Sequence, residues 1–291
     1  MKTKREQRAD VVRAMKDGGY FDSIMQASQD LQRVKEYLLA FAGGAEAPHD
    51  RLQYPDYPCF PGLRNLPLHS VRDVPGAAIL EQSFTTIHSE WRTLSEGDYL
   101  QYAPEAMNHL WAVHLMQYMG ICFEEVTGRF PQTHSLLRRL PRACLDYPWG
   151  DALISVHARD SHLKPHCSVD NLRVRCHLGI QVPTGCAIRV GGETRTWHEG
   201  KALLFEDSFE HEVWNQGDTK RAILIADFWH PDLTDIEIEA LTAGFRKSDV
   251  RSLFLFNRLQ FARDVPDVYI RHLHHQMASQ DNDAVFRRYW R

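Results

Sequence analysis

The chain has 291 residues, 43% hydrophobic and 25% charged, which is ordinary for a globular protein and allows one large domain or two small ones. A formal net charge of -4 carries no nucleic-acid footprint. No apolar run approaches the ~18 residues of a membrane span, and the charged opening "MKTKREQRADVVRAMKDGG" lacks the apolar stretch of a secretory signal.

Residues 1–43 read as helix, with Ile24, Leu31, Val34, Leu38 and Phe41 at near-helical spacing and Gly43-Gly44 ending the pattern. Residues 45–75, rich in proline and aromatics, read as ordered but irregular. Helix is expected over 78–92 and over 104–127, where Leu110, Val113, Tyr118, Ile121 and Phe123 suggest a buried stripe. Near residue 150 the character changes. "ALISVHAR", "LRVRCHLGIQV", "CAIRVGGETRTW", "KALLFED", "HEVWNQ" and "RAILIADFW" are short strand candidates, and Gly191-Gly192 is a two-residue hairpin signal. Strands at this spacing predict a sandwich, barrel or jelly roll. Helix returns after Pro231, in "TDIEIEALTAGF" and again over 249–290. The division expected is a helical extension over 1–50, a strand-rich domain over 51–234 and a second helical extension over 235–291. The six cysteines are scattered without a C-x-x-C pair, which fits a reduced, cytoplasmic chain.

In "LRVRCHLGIQV", Val174, Cys176, Leu178, Ile180 and Val182 point one way, and Arg173, Arg175, His177, Gly179 and Gln181 the other. Taken alone, this strand reads as half-exposed with a solvated polar face. Its surroundings shift that reading. His166 and His211 each adjoin a predicted strand, in a His-x44-His-x9-Arg spacing that ends at Arg221. That layout is expected of an Fe(II)/2-oxoglutarate oxygenase on a double-stranded β-helix. Two imidazoles hold the iron, and an arginine forks onto the far carboxylate of the co-substrate. The usual third ligand is a carboxylate two residues after the first histidine. Ser168 stands there instead.

The longest motifs are "CAIRVGGETRTWHEGKALLFEDSFEHEVWN" and "RAILIADFWHPDL". Upstream are "YPCFPGL", Leu80-Glu81 and "FTTIHSEW". Through these, residues 54–233 closely resemble the catalytic domain of the aspartyl/asparaginyl β-hydroxylases. The resemblance implies a mainly β core, a double-stranded β-helix (jelly roll, cupin-like) with N-terminal and C-terminal helices packed around it. It implies His166 and His211 as ligands of Fe(II) without a carboxylate, so that Ser168 is expected. Asp207 matches an acidic residue that holds an iron-bound water. Ser155, His177 and Arg221 match residues that bind 2-oxoglutarate, and Arg175 one that grips a substrate carboxylate; O2 is the second co-substrate.

The family's proline-glycine turn before the first iron histidine is replaced here by "HARDSHLKPH", which places His162 at the entrance and leaves substrate choice open. The membrane anchor and helical-repeat domain of the animal enzymes have no counterpart in the sequence. The resemblance therefore implies a soluble, bacterial-type hydroxylase acting at the β-carbon of an Asp/Asn-type residue, in a peptide or small amino-acid-derived substrate bearing a carboxylate, with no nucleic acid or membrane as partner. Halogenation or desaturation at the same iron, or a non-catalytic cupin-like binding module, are the alternatives.

One rival pattern exists. His230-Pro231-Asp232 is a true H-x-D, and His274 follows it. The helices expected over 235–290 supply no strands for such a site, and His272, His274 and His275 read as a solvated helix face. Cys167 reads as a strand-edge residue. Tyr54, Tyr57, Phe60, Trp197, Trp214 and Trp229 read mostly as core.

Overall fold

A computed structural model of the chain describes residues 4–95, 98–101, 111–118, 120–123, 128–246, 250 and 253. Among them no helix is long and apolar enough to cross a membrane. The single helix expected at the N-terminus is three: α1 (Lys4–Asp17), α2 (Tyr20–Met25) and α3 (Gln32–Phe41). The chain turns at Gly19, whose φ of 68° suits a residue without Cβ. The stripe of Ile24, Leu31, Val34, Leu38 and Phe41 is buried. Helix α4 (Pro75–Gln82) and helix α5 (Phe84–Trp91) occupy the next helical stretch, and α6 (Pro131–Leu137) lies further on. Helix α7 (Asp235–Phe245) starts at a Thr234/Glu237 capping box, and Arg33 of α3 reaches Glu237 at 2.5 Å.

The strands are β1 (Leu68–His69), β2 (Leu100–Gln101), β3 (Trp111–Tyr118), β4 (Ile121–Cys122), β5 (Ala152–His157), β6 (Ser161–His166), β7 (Arg173–Gln181), β8 (Cys186–Val190), β9 (Glu193–Arg195), β10 (Ala202–Phe205), β11 (His211–Asn215) and β12 (Arg221–Trp229). They form two antiparallel sheets. The larger runs β1-β10-β7-β12-β5-β3-β2, with β4 on β3, and the smaller runs β6-β11-β8-β9. This is the jelly-roll core expected, flanked by helices. Val190 pairs with Glu193 across Gly191-Gly192, the hairpin that the glycine pair predicts, and Gly191 takes φ 57°.

Two expectations are corrected. Helix was expected over 104–127, but "WAVHLMQY" is strand β3, paired with β5; Leu110 lies outside the described residues. Apart from residues 250 and 253, the helix expected over 249–290, with the histidines His272, His274 and His275, also lies outside them. The second correction concerns β7. Its polar face is not solvated, because both of its faces are covered. Val174, Cys176, Leu178 and Ile180 pack with Ala222, Leu224, Ala226 and Phe228 of β12 beneath α4 and α5. Gly76 allows that approach, since a Cβ there would lie 2.2 Å from Phe228 Cε1. The opposite face, carrying Arg173, Arg175 and His177, looks inward between the sheets.

Candidate metal centre and co-substrate pocket

His166 ends β6 and His211 begins β11, and the two stand opposite each other in the ladder. Their ring centroids are 4.2 Å apart. His166 Nδ1 lies 2.7 Å from the Lys164 carbonyl, and His211 Nδ1 2.9 Å from the Phe209 carbonyl. A carbonyl can only accept, so each ring carries its proton on Nδ1 and presents a bare Nε2. Burial lowers the pKa of His166, and burial together with the neighbouring His166 holds His211 well below the usual range. Two neutral, oriented imidazoles side by side are what a divalent metal requires of its nitrogen ligands.

Asp207 is fully buried on the segment between β10 and β11. Its Oδ2 accepts from Arg173 Nη2 at 2.9 Å and lies 3.3 Å from Arg175 Nη1. Its Oδ1 is buried without a hydrogen-bond partner. Arg173, fully buried, also donates to Asp170 at 3.0 Å and to Ser168 Oγ at 2.6 Å. Ser168, in the place of the usual third ligand, is thus tied to the arginine that holds Asp207.

Arg175 is more committed than its expected role requires. Its Nε and Nη2 clamp Asp227 at 2.8 and 2.7 Å, and Nη2 also reaches Asp151 at 3.0 Å. Burial works against the charges of both arginines, but the surrounding aspartates outweigh it and raise both pKa values. Four buried carboxylates (Asp151, Asp170, Asp207 and Asp227) surround these two guanidinium groups.

The residues expected to bind the co-substrate are gathered elsewhere on the inner face. Arg221, at the start of β12, is 1% exposed. Its Nη2 is 3.4 Å from Ser155 Oγ, and its guanidinium lies 4.7 Å from the Trp197 ring centre. Nε and Nη1 are buried without partners. Burial brings its pKa down to about 10. His177 is also buried with both ring nitrogens unpartnered, and burial holds its pKa well below the usual range. Its ring stacks near Trp197 at 6.0 Å and meets Phe205 edge-on at 4.8 Å; Phe205 in turn lies 5.5 Å from His211. A continuous set of rings thus connects the histidine pair to the unpaired arginine.

Sequence reasoning left out Trp197, which it assigned to core, and Arg173, Asp227, Asp151 and Asp170. His162 is corrected too. It pairs in register with Trp214 and binds Glu212 at 2.8 Å, on the face of β11 opposite His211. The rival H-x-D does not form a ligand pair, because Arg64 holds the Asp232 carboxylate at 2.8 Å.

A family model described as aspartyl/asparaginyl beta-hydroxylase matches residues 81–231. The human aspartate beta-hydroxylase domain-containing protein 2 is 34% identical over 202 residues, 65% of this chain and 54% of its own length. The mouse protein of that name is 32% identical, over 65% of this chain and 58% of its own. The human aspartyl/asparaginyl beta-hydroxylase is 39% identical over 134 residues, 46% of this chain and 18% of its own. The chain spans about half the length of the first two. Among solved structures, a Pseudomonas putida prolyl-4-hydroxylase aligns at TM-score 0.34 and 10% identity, covering 52% of this chain and 87% of that one. The fold is therefore read from the strand order above.

Proposed function

This chain belongs to the aspartyl/asparaginyl β-hydroxylase family, and on that footing we propose that it is an Fe(II)- and 2-oxoglutarate-dependent hydroxylase. The observation that carries the reading is the unpaired arginine. A fully buried guanidinium with two partnerless nitrogens is costly unless an anion completes it. Arg221 occupies one end of a ring-lined path, and two neutral imidazoles with free Nε2 atoms occupy the other. A five-carbon dicarboxylate that chelates a metal at one end and needs a cation at the other fits both.

In this reading His166 and His211 hold the iron through Nε2. Bound Fe(II) supplies the activation of O2 that couples co-substrate decarboxylation to oxidation of a C–H bond. Asp207 Oδ1, buried and without a partner, would accept a hydrogen bond from a water held by the metal. Arg221 forks onto the far carboxylate of 2-oxoglutarate, Ser155 Oγ adds a hydrogen bond, and His177 is placed to donate one. Trp197 covers the guanidinium and excludes water, which strengthens the ion pair. Asp227 and Asp151 fix the guanidinium plane of Arg175. Its side chain is 15% exposed whereas that of Arg173 is fully buried, so Arg175 is the one that can meet a substrate carboxylate. The substrate class is an Asp/Asn-type residue, oxidised at its β-carbon.

Mixing anaerobic protein with Fe(II) and 2-oxoglutarate tests the reading through its weak visible charge-transfer band. A band in wild type that disappears in His166→Ala and His211→Ala supports it. No band in wild type, or an unchanged band in both variants, rejects it.

A further inference from the structure

A second group of metal-ligand side chains lies on the other face of the same sheet. Along β7 and β12 the inward residues alternate with the outward row that packs beneath α4. His230 follows Trp229 on the outward side of that alternation. His69 stands opposite Leu204, another outward residue, and Glu206 continues the same row one residue before inward-facing Asp207. Ligand atoms of His69, Glu206 and His230 all lie within 4.8 Å of one another. His69 Nε2 is 2.9 Å and His230 Nε2 3.4 Å from the same oxygen, Glu206 Oε1. All three side chains are fully buried.

Charge makes this cluster unusual. A buried carboxylate needs a cation, and among the described residues Glu206 pairs with these two histidines. Three polar atoms are buried without partners around it: His69 Nδ1, His230 Nε2 and Gln53 Oε1. Gln53 is itself fully buried, and its Nε2 is 3.3 Å from Glu206 Oε2.

We propose that His69, Glu206 and His230 bind a divalent cation of the zinc type, separate from the His166/His211 centre. Two imidazoles and a carboxylate are ligands such an ion takes, and Gln53 is the side chain at hand for a fourth. Outer hydrogen bonds of the kind that orient metal ligands are present: Leu66 N donates to Glu206 Oε1 at 3.1 Å, and Gln53 Nε2 to Oε2. Ligation through His230 Nε2 puts its proton on Nδ1. There it exchanges the present 3.2 Å contact from the Asp232 N–H for a bond to Asp232 Oδ2, now 3.9 Å away. The ion is structural, because nothing at this closed site is open to a substrate. It ties β1, and through Gln53 the irregular segment before it, to the ends of β10 and β12, and so fixes the backbone next to Asp207.

The test is a metal count that does not involve activity. Full-length wild type and the His166→Ala/His211→Ala double variant are treated with chelator at neutral pH and analysed by mass spectrometry for metals. Each should keep about one zinc per chain, as closed structural sites do. His69→Ala and the milder His230→Gln should lose it, with a lower unfolding temperature. Wild type refolded from denaturant should recover its native circular dichroism with one equivalent of Zn(II) and not with chelator, which decides the matter if the variants misfold. Wild type that holds no stoichiometric ion, as isolated and after refolding with Zn(II), overturns the proposal. So does a zinc content equal in all variants. Loss of the iron site in the double variant leaves this outcome untouched, so the two readings fail separately.

Discussion

The Arg221 guanidinium lies 4.7 Å from the centre of the Trp197 ring, and its Nε and Nη1 have no partner although the side chain is 1% exposed. An indole face offsets part of the desolvation of a cation but does not replace an anion. The pair is therefore held ready for a carboxylate, at a cost in the stability of the unliganded protein.

That cost gives a prediction of opposite signs. Arg221→Gln should raise the stability of the ligand-free protein by on the order of 1 kcal/mol in urea unfolding, because an uncompensated buried charge is removed. The same variant should weaken 2-oxoglutarate binding to the iron-loaded protein by about a hundredfold, the usual loss for a buried charged pair. Calorimetric titration reads the second effect. A less stable variant with unchanged affinity would place the co-substrate elsewhere.

Trp197 can also be moved without touching it. The segment 196–201 crosses β7 at Gly179, where an added Cβ would lie 2.3 Å from the His198 carbonyl oxygen. Gly179→Ala must push that segment away, and Trp197 with it. Expected are a stability loss of about 1–3 kcal/mol, as for other overpacked sites, and several-fold weaker 2-oxoglutarate binding. The affinity change separates a displaced Trp197 from simple overpacking. Unchanged affinity would show that the indole does not shape the pocket.

The acid stability of the protein follows from its buried histidines. His157, His177 and His211 are all held well below the usual imidazole pKa, in each case first by burial. A group whose folded pKa is depressed takes up its proton in the unfolded chain first. Stability is therefore full above the unfolded value near 6.5. Below it, stability falls by about 1.4 kcal/mol per pH unit for each group until the folded pKa is reached. Urea unfolding of metal-free protein between pH 7.5 and 5 should show this slope, and His157→Gln should remove one increment of it. A slope unchanged in that variant would mean that His157 titrates alike in both states.

Much of the central sheet was legible in the sequence, because the strands from 152 to 229 are short, rich in branched residues and separated by turn residues. Strand β3 was not, for a physical reason. Val113 and Leu115 face the inner core while Met116 faces the outer one, so both sides are apolar and the period-two signal disappears. Strand β6 was missed because "SHLKPH" is polar and holds a proline. Of the site, His166, His211, Ser155, His177 and Arg221 could be named from spacing and resemblance. The carboxylates around Arg173 and Arg175 could not, because Asp151, Asp170 and Asp227 come together only when β5, β7 and β12 are paired. Nor could the joining of His69 to Glu206 and His230, which lie 137 and 161 residues further along the chain.

Asp207 separates charge from shape. Asp207→Asn keeps the size of the side chain, but an amide has a single oxygen: with that oxygen kept on the arginine donors, an NH2 that cannot accept a hydrogen bond replaces Oδ1. Fe(II) or Co(II) affinity should fall by about 10- to 100-fold, the range for an outer-sphere partner. The fold, read by circular dichroism, should persist. Equal metal affinity in variant and wild type would remove Asp207 from the centre.

Restoring the missing ligand should not restore a facial triad. In Ser168→Asp a carboxylate would stand two residues after His166, where such sites carry their third ligand. Here that position faces a competitor. Arg173 Nη2 already lies 2.6 Å from Ser168 Oγ and 2.9 Å from Asp207 Oδ2. A guanidinium with full charge, buried and aimed at the new oxygens, should take them before a metal does. Arg173 then divides its donors between two carboxylates, Asp207 loosens, and a fifth acid joins the four already around Arg173 and Arg175. Metal titration of the variant should therefore give an affinity equal to or below that of wild type, with 2-oxoglutarate still able to chelate. A tenfold gain in Co(II) affinity, accompanied by loss of the co-substrate band, would show that the new carboxylate reached the metal and that Arg173 does not guard the position.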